Sequence, residues 1–397
     1  MTQYQGKVLD AHGQLVGWGI ELDDAGAVSA IVPAGGALGA SGEPAGWIIP
    51  GVIDIHCHGG GGASFPDSWT PEEIRTAIYS HLEKGTTAML ASLVSMVNPL
   101  PQIELLVPFC ERGELLGIHM EGPYVSPHKL GAQSPEAQRV ADLDELRRWL
   151  EAGKGYIKTM TLAPELENAI EAGKLLLDYG ALPSWGHTSA TGAEARAAIE
   201  AMNEYAAQIG LDSVPQTATH LFNAMPAIQH REPGPVRELV QAARNGEAVV
   251  EIIGDGVHVN IDLVGDVLNY VQAAGDGLGV VMVTDSMAAA GLDDGSYALG
   301  GIAVTVSDGV ARLTEGGNIA GGTSRLVEQI KTGVDAGVFD VSSAVKACVA
   351  APAQALRVDN QTPGVTVSFE VGQKPNMVVL NASLDPVAVI REGGIIE

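Results

Sequence analysis

The chain has 397 residues, 46% of them hydrophobic and 18% charged, and a formal net charge of −26, a globular composition with room for one large domain and a smaller companion. The acidity excludes a basic stripe for nucleic acid or an anionic membrane surface, and three scattered cysteines exclude a disulfide framework. No apolar run is long enough to span a bilayer, and MTQYQGKVLD lacks the basic-then-apolar pattern of a secretory leader, so a cytoplasmic location is expected.

Residues 1–50 read as short strands, because GKVLDAHGQLVGWGIELDDAGAVSAIVPAG is apolar sequence cut by Asp, Gly and Pro. GALGASGEPAG follows as a flexible turn. From residue 51 the texture changes. Eight buried-type strand candidates appear in order: GVIDIHCH, TTAMLASLV, LLGIHMEG, GYIKTMTLAP, ALPSWGH, PQTATHL, AVVEIIGDG and LGVVMVTDS. Helical patterns lie between most of them, such as TPEEIRTAIYSHLEKG, SPEAQRVADLDELRRWLEAG and TGAEARAAIEAMNEYAAQIG. The first and third of these open on a Thr placed to cap the helix. Alternating strand and helix implies a parallel sheet. Eight units in this length predict an α/β fold, a (β/α)8 TIM-type barrel over 51–351, with an open doubly wound sheet as the alternative. The C-terminal TVSFEVGQKPNMVVLNASLDPVAVIREGGIIE resumes the β texture. Residues 1–50 and 352–397 are therefore expected to form a small β-sandwich domain from both chain ends.

The C-terminal ends of barrel strands form the active-site face, and the ionisable residues fall there. Strand one ends in His56 and His58, strand three in Glu121 with His119 before it, strand five in His187, strand six in His220 and strand eight in Asp285. Strand seven leads into GDGVHVN, with Asp255 and His258. A single histidine at a strand end is most simply a satisfied structural residue. Five strand ends converging on one face point to a metal site instead. His56 and His58, at i and i+2, share one side of their strand, which turns Cys57 away into packing. Imidazoles suit zinc and other borderline divalent metals, and such a metal lowers the pKa of a bound water toward neutrality. Asp285 beside it has the chemistry of a proton carrier, against the simpler reading of a helix cap. Gly59 to Gly62 let the chain turn tightly over the site.

These segments resemble the N-acetylglucosamine-6-phosphate deacetylases of the amidohydrolase superfamily. The likeness rests on HCH, HMEGPY, GHTSAT, THLFNAMPAIQHREPG, GDGVHVN, VTDSM and GNIAGGTSRL, spanning about Pro50 to Leu326. The resemblance implies that His56, His58 and Glu121 hold one metal and that His187, His220 and Glu121 hold a second. It implies Asp285 as catalytic acid/base and His258 as a sugar contact that polarises the amide carbonyl. Asn223, Ala224 and Arg231 match positions that hold the phosphorylated sugar, with Arg231 toward the phosphate, and Ala320 matches a loop that touches substrate through its backbone. Some relatives replace HxH by Gln and Asn and bind one metal. This chain keeps both histidines, so two divalent ions are expected: zinc first, with iron, manganese and cobalt open. Gln133 stands where many relatives have a histidine in Gly-Ala-His, which leaves that substrate contact in question.

The resulting expectation is a metal-dependent deacetylase of N-acetyl-D-glucosamine 6-phosphate in amino-sugar catabolism and cell-wall recycling, working as a homodimer. Its partner is the phosphorylated sugar, with no nucleic acid and no membrane. N-acetylgalactosamine 6-phosphate, or another small amide, is the alternative substrate. Lys158, mid-strand in GYIKTMTLAP, is the one candidate for a carboxylated bridging lysine and is a weak one, because Glu121 already bridges. His230, beside Arg231, reads as a solvated loop residue that can share in phosphate binding. A scaffold that kept the barrel without its chemistry would have lost ligands, and none is missing here.

Overall fold

A computed structural model describes residues 1–33 and 46–396. The turn expected at 36–46 lies outside the described residues except for Gly46. Eight parallel strands follow one another around a barrel: Val52–Cys57, Thr86–Leu93, Gly117–Glu121, Ile157–Leu162, Leu182–Trp185, Thr217–Ala218, Val249–Ile253 and Val280–Val283. Strand eight closes onto strand one just beyond its own end, where Asp285 N donates to His56 O and His58 N donates to Ser286 O. Strands one and two are buried along their whole length, the pattern of a parallel sheet with both faces covered.

The helices begin where their caps predict. Thr70 and Glu73 form a reciprocal capping box on Pro71–Leu82, and Thr191 and Glu194 do the same for Gly192–Ile209. The helix expected from Ser134 starts only at Leu143, because Asp142 caps it by accepting from Asp144 N and Glu145 N. Residues 134–142 instead run alongside residues 123–125, just past strand three. There Arg139 is tied to Glu145 and Tyr124 donates to Glu145.

The two chain ends meet in one seven-stranded sheet, ordered Gly394–Ile395, Pro386–Arg391, Met377–Leu380, Trp47–Pro50, Thr2–Leu9, Leu15–Leu22 and Val28–Val32. It curls around its own core of Val8, Ile20, Ile48, Met377 and Ile390. The expected domain limits at 351 and 352 divide a continuous helical run from Val341 to Leu356, which contains one π-helical turn at Lys346–Ala350. This run packs its small buried residues, among them Ala347, Ala351 and Ala353, into the barrel's core.

One element goes beyond the expected architecture. After strand eight, Gly295–Leu299, Ile302–Ser307 and Val310–Leu313 form a three-stranded antiparallel sheet at the barrel mouth. Its buried face, with Leu299, Val304, Val306 and Ala311, packs on Val94, Met287 and Ala320.

Candidate active site

His56, His58, Glu121, His187, His220 and Asp285 converge at the C-terminal mouth of the barrel in two groups joined by Glu121. The first is His56, His58, Glu121 and Asp285; the second is Glu121, His187 and His220. The two regular-strand histidines come from alternation along strand one. Glu121 ends strand three, and the ligand candidates His187 and His220 and the proton-carrier candidate Asp285 sit just past their strands in left-handed backbone, at φ 47°, 28° and 50°. Such conformations cost of order 1–3 kcal/mol each and persist where neighbours over-determine them. Here Asp285 N is held by His56 O, and His220 N donates to Glu251 Oε2 at 3.1 Å.

The donor atoms define the chemistry. His56 Nδ1 lies 2.9 Å from Glu251 Oε2, His58 Nδ1 3.2 Å from Ser92 O, and His187 Nδ1 2.8 Å from Lys129 O. Those partners only accept, so each Nδ1 carries the hydrogen and each neutral ring turns a lone pair out through Nε2. The Nε2 atoms then face one another and Glu121. His56 and His58 are 3.2 Å apart and His187 and His220 are 3.1 Å apart. His58 Nε2 is 3.0 Å from Glu121 Oε2, while His187 and His220 are 2.8 and 2.9 Å from Oε1. His58 Nε2 is also 3.2 Å from Asp285 Oδ1. Lone pairs packed against lone pairs repel unless a cation lies between them. These separations are close to the roughly 3.3 Å between neighbouring ligands of a tetrahedral ion bound at about 2.0 Å. The residues present therefore fit a divalent metal.

Without a metal, protons must take its place. Burial pulls the His58 imidazole down, but the Asp285 and Glu121 carboxylates outweigh it and push it up to about 9. Burial alone would raise the Glu121 and Asp285 carboxyls; the surrounding imidazoles hold both below the usual carboxylate range.

A cavity of about 550 Å³ opens above this floor. His58, Glu121, His187, His220, Asn223, Ala224, Gln133, His258 and Asp285 line it. His258 Nδ1 is 2.8 Å from Asp255 Oδ2, and its Nε2 is buried without a protein partner. Burial lowers that imidazole, and the Asp255 carboxylate more than compensates, raising it. Ala320 is fully buried, with its N–H given to Ala311 O; its neighbours Ile319 and Gly321 reach the cavity instead. Arg231 is exposed and is not part of the cavity wall of its own chain.

Gln133 is not free to meet a substrate with both ends of its amide. Its Nε2 donates to Glu121 Oε2 at 2.7 Å, and its Oε1 accepts from Ser95 N at 2.6 Å. Cys57 is buried with its thiol against His81 and Gly59 O, away from the ligands. Gly60 leaves room there: a Cβ would stand 2.4 Å from Ser80 Oγ and 2.7 Å from His81 Nε2. Lys158 Nζ donates to Gly155 O, outside both ligand groups. His119 is held between Ser92 Oγ and Thr161 Oγ1, beneath the ligands rather than among them. Sequence reasoning missed Glu251, whose signal was a lone carboxylate inside the apolar run AVVEIIGDG. It also missed His128, Lys129 and Asn318 on the cavity wall.

Residues 47–396 match the amidohydrolase family model. The N-acetylglucosamine-6-phosphate deacetylase of Bacillus subtilis (strain 168) is 35% identical over 71% of this chain and 68% of its own length. The N-acetylgalactosamine-6-phosphate deacetylase of Escherichia coli O157:H7 is 30% identical over 85% of this chain and 84% of its own. The structure of the Mycobacterium smegmatis N-acetyl-D-glucosamine-6-phosphate deacetylase in complex with N-acetyl-D-glucosamine-6-phosphate superposes with a TM-score of 0.85 at 32% identity, covering 99% of this chain and 98% of that one. With a matching barrel, matching family segments and ligand groups at the barrel mouth, the chain belongs to the amidohydrolase family and, within it, to the N-acetylglucosamine-6-phosphate deacetylases.

Proposed function

We propose that the chain hydrolyses the acetamide of N-acetyl-D-glucosamine 6-phosphate to D-glucosamine 6-phosphate and acetate. The observation that carries the reading is the pair of ligand groups sharing Glu121, with the ionised Asp285 carboxylate buried beside them. His56, His58 and Glu121 would hold one divalent ion and His187, His220 and Glu121 a second, zinc being the first choice on ligand type. Such ions supply an acidified water and polarise a carbonyl.

The chain's own residues account for the rest. Asp285 accepts the proton of the attacking water and returns it to the amide nitrogen as the C–N bond breaks, so that the amine leaves neutral. His258, pushed toward its cationic form by Asp255, points an unpartnered Nε2 into the cavity, and the protonated ring can donate to the acetyl oxygen as charge builds there. Glu251 and Gln133 hold His56 and Glu121 in place. Asn223 and Ala224 line the wall where the sugar phosphate would lie.

A homodimer and a cytoplasmic location belong to the same reading. Arg231, exposed off its own cavity, is free to reach a neighbouring subunit's. The three cysteines are all free and buried, as suits a reducing compartment. Among the described residues no helix is long and apolar enough to cross a membrane.

The galacto epimer is a second reading, motivated by the E. coli relative. Acetate release from both N-acetylated 6-phosphates, with metal content measured on the same sample, tests the proposal. Turnover of the gluco compound with about two ions per chain is expected. Release from neither compound by metal-loaded protein overturns the activity, and full activity with one ion overturns the two-metal reading.

A further inference from the structure

The phosphate of the proposed substrate is a dianion, and it has to enter a protein of net charge −26 whose cavity floor already carries Glu121 and Asp285. A local cation must offset that field. Arg231, the expected phosphate partner, does not line the cavity of its own chain. Among the described residues that do, Lys129 is the only lysine or arginine.

Its placement is specific. Lys129 belongs to the loop between barrel strand three and the following helix, and it is half-buried. Its Nζ donates to Met225 O at 3.2 Å, bringing the ammonium beside Asn223 and Ala224 on the same wall. A lysine ammonium has three donors, so one bond to a carbonyl leaves two for phosphate oxygens. The Asn223 amide next to it makes only long contacts, 3.3 Å to His220 O and 3.4 Å to Leu221 O. The backbone of Lys129 does separate work, since its carbonyl accepts from His187 Nδ1. A side-chain substitution therefore removes the charge and leaves the orientation of His187 intact.

We infer that Lys129 is a specificity residue for the 6-phosphate, the cation by which one subunit's own wall selects phosphorylated over neutral N-acetyl sugars. The inference rests on the deacetylase reading for its substrate but not for its anion chemistry. A charge-assisted hydrogen bond of this kind contributes roughly a 10- to 100-fold effect on affinity.

The test compares wild type, Lys129→Met and Lys129→Arg. Kinetics are measured on N-acetylglucosamine 6-phosphate and on unphosphorylated N-acetylglucosamine, and inorganic phosphate binding is measured by calorimetry. Lys129→Met should raise KM for the phosphorylated sugar about tenfold or more with kcat within about threefold. It should leave kcat/KM for the neutral sugar unchanged and weaken phosphate binding by a similar factor. Lys129→Arg should restore most of both losses. An unchanged KM with unchanged phosphate binding overturns the inference, and so does an equal loss on both sugars. If wild type releases acetate from neither sugar, the deacetylase reading fails, and the phosphate titration alone still decides for or against Lys129.

Discussion

The floor and the wall of the cavity are built by opposite means. On the floor, the five candidate ligands and Asp285 come from barrel strands or from the first residues beyond them. Among the histidines, His56, His58 and His187 have Nδ1 pinned to a carboxylate or a backbone carbonyl. The wall is made of loop and insertion: residues 126–133 and the three-stranded sheet at 295–313, whose outer face is exposed. The floor stores left-handed backbone at His187, His220 and Asp285 and is held by buried hydrogen bonds. The wall turns on the Gly300-Gly301 pair and on one partly exposed carboxylate, Asp67. Chemistry that needs atoms fixed to a few tenths of an ångström sits on the over-determined part. Recognition, which tolerates adjustment, sits on the other.

The contrast predicts that floor substitutions act on kcat or on metal retention, and that wall substitutions act on KM. The largest effect belongs to Asp285→Asn. It keeps the shape and removes the proton acceptor, so kcat should fall by a factor of roughly 10² to 10⁴, with metal content and the circular dichroism spectrum unchanged. Activity within about tenfold of wild type would remove Asp285 from the chemistry.

Next comes Glu251→Ala. Glu251 lies fully buried inside the barrel, takes the Nδ1 hydrogen of His56 and also the backbone N–H of His220, and so ties one ligand group to the other. Its loss should weaken divalent-metal affinity about 10- to 100-fold in competition with a chelator. Glu251→Gln should fall in between, because an amide can present either an acceptor or a donor to the ring. Unchanged affinity in a folded Glu251→Ala protein would show that the His56 tautomer does not depend on this carboxylate.

The same contrast explains what could be read from the sequence. All eight barrel strands stood out, because parallel strands covered on both faces are near-continuous apolar runs. A polar residue that closes such a run is conspicuous, which is how His56, His58, Glu121, His187, His220 and Asp285 were found. Glu251 escaped because it stands in mid-run, where one carboxylate among Val and Ile reads as noise until its partner is seen 2.9 Å away. The site's left-handed backbone was invisible, since no glycine marks positions 187, 220 or 285. The sheet at 295–313 did leave signals: Gly300-Gly301 and Asp308-Gly309 are both two-residue hairpin turns between alternating segments. The helix expected from Ser134 failed for a different reason, because the Asp142 cap sets the helix start later than the polar-apolar pattern alone does.

The smallest effect tests the wall. Gly300 and Gly301, at φ 58° and 76°, form the tip of the hairpin that carries Leu299 onto the cavity. One side chain holds that tip: Asp67 accepts from Gly300 N at 2.9 Å and from Gly301 N at 2.8 Å, with Ser64 Oγ donating to the same carboxylate. Only glycine suits Gly300, since a Cβ would meet Val94 at 2.5 Å. Asp67→Ala removes these bonds from a partly exposed site. The loss should be about 1–2 kcal/mol, a fall of about 1–2 °C in Tm for a chain this size. Freed at its tip, the hairpin would hold Leu299 less firmly, so KM should rise a few-fold with kcat within about twofold. Asp67→Asn keeps one acceptor oxygen and should lie between. A fall in kcat at unchanged KM would mean that the hairpin positions the reacting groups themselves, and the division of labour between floor and wall would then fail at Leu299.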